Sequence, residues 1–210
     1  FTTFFDKNYL ARGLVLIESL QQHSESFAIY VLCLDDFTAN FFHQNNKQYP
    51  QVIVVLLSDI EKSDEALFAI KAERRLIEYY FTLSPCLPLY LLKKYNLSHI
   101  CSLDADIQFY SSPQPLFDYL NEYSIVITPH KFSKEVSDLV KWGVNNVSFQ
   151  IFMNDTVGIE CLELWREQCL EWCKDELDEK NNRFADQKYL DNWNILYPNK
   201  VKQLYDNVSG

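Results

Sequence analysis

The sequence predicts an α/β fold, a single domain with a mostly parallel central sheet flanked by helices. Strand-like and helix-like segments alternate from the first residue, and the order strand, helix, strand, helix, strand requires parallel pairing. The chain has 210 residues, 48% of them hydrophobic and only four of them Gly, which is enough for a full core and excludes disordered or collagen-like sequence. The apolar run Ile100-Cys101-Ser102-Leu103 ends in Asp104-Ala105-Asp106, the pattern of a buried strand opening into an acidic loop.

Phe1 to Phe5 reads as the first strand, and Asn8 to His23 as a helix with Leu10, Leu14, Ile17 and Leu20 on one face. Phe27 to Leu34 is a second strand, Phe37 to Gln48 a helix, and the Val-rich Gln51 to Leu57 a third strand. A helical stretch follows from about Asp64 through Tyr80. Ser84-Pro85 then has the form of a helix start, Ser as cap and Pro at the first position, for a second helix reaching Tyr95. Beyond the acidic triplet, Pro113 and Pro115 open a short helix at Leu116 to Leu120, and Ser124 to Thr128 is a strand. Lys131 to Asn145 reads as a loop, Val147 to Met153 as a strand, Val157 to Lys174 as an amphipathic helix and Asp175 to Asn182 as a charged turn.

A net charge of -10 without any Lys/Arg run argues against a nucleic-acid surface, because phosphate backbones need clustered cations. No apolar stretch reaches the roughly 18 residues that span a bilayer, so no integral membrane segment is expected and the chain reads as soluble and cytoplasmic. Six cysteines without Cys-x-x-Cys knuckles favour reduced, buried thiols, with Cys169 and Cys173 on one helix face. Asn-x-Ser/Thr triplets at Asn96, Asn146, Asn154 and Asn207 are only weak evidence for secretion.

The triplet carries the chemistry. On an extended segment residues i and i+2 share a face, so Asp104 and Asp106 could meet one hard divalent cation at the carboxyl end of a strand, where open α/β sheets bind ligands. Mn²⁺ or Mg²⁺ suits such ligands and usually also holds phosphates. No glycine-rich dinucleotide or P-loop motif is present, so a cation would have to neutralise any diphosphate. An Asp-x-Asp Mg²⁺-dependent phosphatase uses the same triplet, but normally on its first strand, whereas three strands precede it here. Other polar residues have plain structural readings: Asp6 and Asn8 as helix caps, Arg74 paired with Glu78, Asp186-Gln187 capping a terminal helix. His130, in Thr-Pro-His after a strand, could approach the site; no His is assigned to the metal.

Phe1-Thr2-Thr3-Phe4-Phe5-Asp6-Lys7-Asn8-Tyr9-Leu10, Glu78-Tyr79-Tyr80-Phe81-Thr82-Leu83-Ser84-Pro85, the acidic triplet, and Arg183-Phe184-Ala185-Asp186-Gln187-Lys188-Tyr189-Leu190 occur in this order. Together they resemble bacterial nucleotide-diphospho-sugar transferases, relatives of the family 8 glycosyltransferases with the GT-A fold, a Rossmann-like mixed sheet. The resemblance spans essentially the whole chain. It implies transfer of a sugar, with retention, from a nucleotide-sugar donor, usually a UDP-sugar, to a hydroxyl of a carbohydrate or glycan acceptor. Thr2, Thr3 and Asp6 would hold base and ribose, and Arg74 would meet the donor. Asp104 and Asp106, with Ala105 between them, would bind Mn²⁺ (or Mg²⁺) on the diphosphate. Asn146, Asp186 and Gln187 would line the donor sugar and the reacting face. Two departures stand out: Ser148 occupies an expected Gly, and the chain stops at Gly210 where such proteins continue, so residues 1–210 are expected to be the transferase domain without its C-terminal segment. These departures keep open a degenerate sugar-nucleotide-binding module.

Overall fold

The computed structural model describes residues 1–205. Thr2–Phe5 (β1), Ile29–Cys33 (β2) and Val52–Leu56 (β3) pair in parallel and are joined by the helices Leu10–His23 (α1) and Asp36–Gln44 (α2), as the alternation requires. All five residues of β2 are buried because both faces of the sheet are covered, whereas β3 is an edge strand with Ile53 and Leu56 exposed.

Leu57, expected within the third strand, instead opens a helix, Leu57–Ser63 (α3), followed by Glu65–Ile70 (α4). The largest difference lies at Ser84-Pro85. These residues start no helix; they lie inside one long helix, Leu76–Tyr95 (α5), which contains Pro85 and Pro88. An interior proline removes a hydrogen-bond donor and costs about 3 kcal/mol or more. Burial outweighs it: Leu83, Leu87, Leu91 and Leu92 are at most 1% exposed against the sheet. The true start is set at Arg75, whose N–H donates to Glu78 Oε2 (2.9 Å) while its guanidinium donates to Glu78 Oε1 (2.9 Å).

His99–Leu103 (β4) runs parallel to β1. Gln114–Phe117 (α6) and a 3₁₀ turn, Asp118–Asn121, stand where one short helix was expected, and lead to Ile125–Pro129 (β5). The presumed loop after β5 contains a 3₁₀ segment, Lys134–Trp142. Asn145–Met153 (β6), Thr156–Glu171 (α7), a 3₁₀ turn at Gln187–Asn192, the short Trp193–Leu196 (α8) and Val201–Gln203 (β7) complete the described chain. The last two elements carry no clear period and were not expected from sequence. The sheet order is β3-β2-β1-β4-β6-β5-β7, and β6 alone runs opposite to the others.

One face of the sheet packs on α5 and α7, the other on α1 and α2. On the first face Trp165, Trp193 and Phe152, all fully buried, interlock with ring centroids 5.3 Å (Trp165–Trp193) and 5.9 Å (Phe152–Trp193) apart. All six cysteines are free and buried, as expected. Among the described residues no helix is long and apolar enough to cross a membrane. The topology brings the carboxyl ends of β1, β2, β4 and β5 and the amino end of β6 to one edge, where polar groups gather.

Candidate active site

β4 ends at Leu103, and Ala105 and Asp106 lie in a turn rather than on extended chain. The turn, not strand alternation, therefore sets the two carboxylates. Asp104 N–H donates to Ser148 O (2.9 Å), which ties the triplet to the start of β6. There the β5–β6 register breaks: Ile127 faces Gln150 but Thr128 faces Asn146, so three residues of β6 bulge out. Thr128 Oγ1 donates to Phe149 O (3.0 Å) and fixes the bulge. Asp104 is partly buried, Ala105 buried and Asp106 exposed. Burial first, then the charges of Asp186 and Asp106, push the Asp104 carboxyl up to about 7.

Asp186 is 2% exposed, and its carboxyl is pushed up to about 6 by burial, opposed by the Ser84 hydroxyl and nearby backbone amides. Its Oδ2 is buried without a hydrogen-bond partner, and Trp165 Nε1 donates to its carbonyl (2.9 Å). Asp186 makes no side-chain cap on the following 3₁₀ turn, contrary to the capping alternative. Gln187 Nε2 donates to Trp142 O (3.1 Å), and the Gln187 side chain also bonds His130. The His130 ring stacks on Phe132 (centroids 4.6 Å apart), with Nε2 buried and unpaired, and burial lowers its pKa. Asn146 Oδ1 accepts from Ser148 N–H (3.0 Å) and from Ser148 Oγ. The side chain that replaces the expected glycine thus orients Asn146.

Within β1 Thr2 Oγ1 donates to Tyr30 O (3.1 Å), and Thr3 Oγ1 is buried and unpaired. Asp6 Oδ1 accepts from Asn8 N–H (2.9 Å) and Tyr9 N–H (3.3 Å), which closes the turn ahead of α1; α1 itself begins after Tyr9 without a side-chain cap, so neither Asp6 nor Asn8 caps it as expected. Tyr80 lies near these groups: its hydroxyl pKa is raised by burial and then by the charges of Asp6 and Asp35. Arg74 does not pair with Glu78, which is taken by Arg75; its Nη2 donates to the carbonyls of Cys169 (3.1 Å) and Leu170 (2.8 Å) in the last turn of α7. Those carbonyls lack intrahelical donors, which explains the attraction.

The charges of Asp106 and Asp186 thus reach Asp104, Asn146 is tied to Ser148, whose carbonyl accepts Asp104 N–H, Gln187 follows Asp186 in the chain, and Arg74 turns toward α7. Sequence reading missed Ser84, Lys188 and Asp191. Ser84 was masked by its proline, and the Lys188 and Asp191 contacts reach more than forty residues along the chain.

Among the described residues no three His, Cys, Asp or Glu side chains converge as a ready-made metal cluster. The triplet offers two hard oxygen donors, and a divalent cation would favour the ionised form of Asp104 that burial, and then the charges of Asp186 and Asp106, disfavour, so the residues fit Mn²⁺ or Mg²⁺.

A mixed sheet with one reversed strand and an acidic turn after β4 defines the GT-A fold of glycosyltransferases, and this chain has it. Mouse xyloside xylosyltransferase 1 in its apo form superposes with a TM-score of 0.65 at 15% identity, over 97% of this chain and 83% of that protein. The glycosyltransferase GlyE of Streptococcus pneumoniae TIGR4 gives 0.62 at 17% identity, over 98% of this chain and 44% of that one. The galactosyltransferase LgtC, in complex with donor and acceptor sugar analogs, gives 0.61 at 15% identity, over 96% and 72%. In sequence the chain is 32% identical over 208 residues to the uncharacterized protein YfnF of Bacillus subtilis (strain 168), covering 95% of this chain and 66% of that protein. It is 27% identical over 195 residues to YfnD of the same organism, covering 92% and 61%. The chain thus spans less than two thirds of the curated relatives it matches. No family model matches.

Proposed function

We propose that the protein is a metal-dependent glycosyltransferase that moves a sugar from a nucleoside-diphosphate donor, a UDP-sugar, to a hydroxyl of a carbohydrate acceptor with retention. The observation that carries this reading is the acidic turn Asp104–Asp106 at the end of β4 in a GT-A fold, with Asp186 near enough for its charge to raise the Asp104 carboxyl. Asp104 and Asp106 would hold Mn²⁺ or Mg²⁺, which when bound neutralises the donor diphosphate and stabilises its departure. Asp6, just past the end of β1, would face base and ribose, while Thr2 and Thr3, buried within β1, would support that end from beneath. Breaking the sugar–phosphate bond builds positive charge at the anomeric carbon, and the carboxylate of Asp186 with the amide oxygen of Gln187 would stabilise it. Asn146, its oxygen engaged by Ser148, keeps its amide donors for a sugar hydroxyl. Six free, buried thiols suit a reducing compartment, and we place the protein in the cytoplasm.

Calorimetric binding of UDP tests the reading without knowledge of the acceptor. Binding should require Mn²⁺, vanish in EDTA and fall at least about a hundredfold in Asp106→Asn. Equal UDP binding with and without metal would sink the metal assignment. Metal-dependent binding without any release of UDP from a panel of UDP-sugars would mark a binding module instead of an enzyme.

A further inference from the structure

The 3₁₀ turn Gln187–Asn192 follows Asp186 directly, and three of its side chains reach one short segment before β6. Asp191 Oδ1 accepts from the N–H groups of Val144 (2.9 Å) and Asn145 (3.2 Å) and from Asn145 Nδ2 (3.2 Å). Lys188 Nζ donates to Lys141 O (2.7 Å) and lies 3.9 Å from Asp191 Oδ2. Gln187 Nε2 takes Trp142 O, and Gln203 Nε2 donates to Asn145 Oδ1 (2.8 Å). Every residue from 141 to 145 except Gly143 is gripped. Gly143 sits at φ +149°, and a Cβ there would come within 3.2 Å of Gln187 Nε2, so the segment passes this close only because the position is glycine.

Lys188 is 7% exposed and Asn145 1%. A buried ion pair is weak evidence for stability, since desolvation cancels much of its attraction; its better attested use is to fix one geometry. The geometry fixed here is specific. One end of the grip is covalently continuous with Asp186 and Gln187, the other with Asn146 and Ser148, and Val144 O also accepts His130 N–H (2.8 Å). The side chains of Lys188 and Asp191 make no hydrogen bond to Asp6, Asp35, Tyr80 or the turn of Asp104–Asp106; that turn is joined to β6 separately, through the backbone bond from Asp104 N–H to Ser148 O.

We infer that Lys188 and Asp191 are positioning residues that lock Gln187 to Asn146, so that the pair sets affinity for the sugar of the donor and leaves affinity for its nucleotide diphosphate unchanged. The inference rests on the nucleotide-sugar reading above. Lys188→Met would release the carbonyl of Lys141 and leave Asp191 without its cation. Asp191→Asn would keep an oxygen for the backbone amides and lose the charge. In both, Gln187 and Asn146 drift apart while the metal turn stays.

The experiment compares calorimetric Kd values with Mn²⁺ for UDP and for UDP-glucose, UDP-galactose, UDP-N-acetylglucosamine and UDP-N-acetylgalactosamine in the unaltered protein, Lys188→Met, Asp191→Asn and Lys188→Arg. UDP should bind all four within about twofold, while the preferred UDP-sugar should lose roughly tenfold in Lys188→Met and Asp191→Asn and recover in Lys188→Arg. Equal weakening of UDP and UDP-sugar would reduce the pair to a general stabiliser and overturn the inference, as would an unchanged sugar preference. Failure of the unaltered protein to bind UDP would instead remove the nucleotide-sugar reading itself. Should either charge variant fail to fold, Gly143→Ala, which pushes a methyl against Gln187 and leaves both charges in place, must show the same selective loss.

Discussion

The two halves of the sheet's functional edge are built by different means. Around β1 and β2 the polar groups are placed locally: Asp6 bonds residues two and three positions on, and Asp35 caps α2 through Thr38 N–H (2.8 Å), reaching only Lys7 N–H (2.9 Å) on the neighbouring loop. Around β6 almost nothing is local. Asp186 is held by Trp165 of α7, the residues before β6 by Asp191, and the bulge by Thr128. A strand running into a helix cap is a self-contained device, whereas the reversed half holds its shape only when α7, the 3₁₀ turn and β5 are all in place. On the proposed reading the local half meets the nucleotide and the assembled half meets the sugar, so sugar choice can change through packing residues while nucleotide binding persists.

Trp165→Ala should break the assembled half most severely. It empties a fully buried site beside Phe152 and Trp193 and leaves the carbonyl of Asp186 unpaired. A loss of about 3–5 kcal/mol in urea unfolding is expected, with Trp165→Phe, which keeps an aromatic ring and much of the volume but not the donor, costing about 1–3 kcal/mol. Equal losses from the two variants would mean that the hydrogen bond, not the packing, holds this half.

The two halves also meet at Asp104, and pH separates their contributions. Its folded pKa of about 7 lies above the ordinary carboxylate value, so ionisation is disfavoured in the native state. Stability of the EDTA-treated protein should therefore be complete below about pH 4 and fall as pH rises toward 7, by up to about 4 kcal/mol if the shift were realised in full. Asp104→Asn should remove the part of the slope that Asp104 contributes, leaving the part from Asp186, whose carboxyl is raised to about 6, and be the more stable protein at pH 8, with little difference at pH 4. An Asp104→Asn variant whose melting temperature follows pH as the unaltered protein's does in EDTA would show that burial does not hold Asp104 protonated.

Within the local half, Asp35→Ala removes the cap of α2 and should cost about 1 kcal/mol, with UDP-sugar preference untouched. A larger loss in urea melts would show that the Lys7 contact matters more than the cap.

The division also explains what the sequence made legible. β1 to β3 and the first two helices follow from period and apolar runs, which are local signals, whereas Asp104 and Asp106, expected to share a face of extended chain, are carried by a turn that alternation does not predict. Ser84-Pro85 misled because it mimics a helix start; only burial of α5 along the sheet shows that two prolines can be carried inside a helix. The short 3₁₀ turns, α8 and β7 have no period to detect, and no local signal marks Lys188 and Asp191, whose partners lie 46 and 47 residues away. Arg74 likewise read as a helix-face charge, and its contact with α7 spans 95 residues.

The smallest expected effect concerns Ala185, whose φ of +45° is left-handed, a conformation that costs a non-glycine residue about 1–2 kcal/mol. Its N–H donates to Lys174 O (3.0 Å), and the next residue is fixed through Trp165, so the surroundings impose the conformation from both sides. Ala185→Gly removes the strain but adds freedom to the unfolded chain worth about 0.4–1 kcal/mol, leaving a net gain of about 1 kcal/mol or less. Urea unfolding should detect little, and sugar preference should not change, because the same two contacts still aim Asp186. A shift in sugar preference without a change in stability would show that the left-handed residue, and not the long-range contacts, aims the carboxylate, and would make the assembled half of the site more local than its hydrogen bonds suggest.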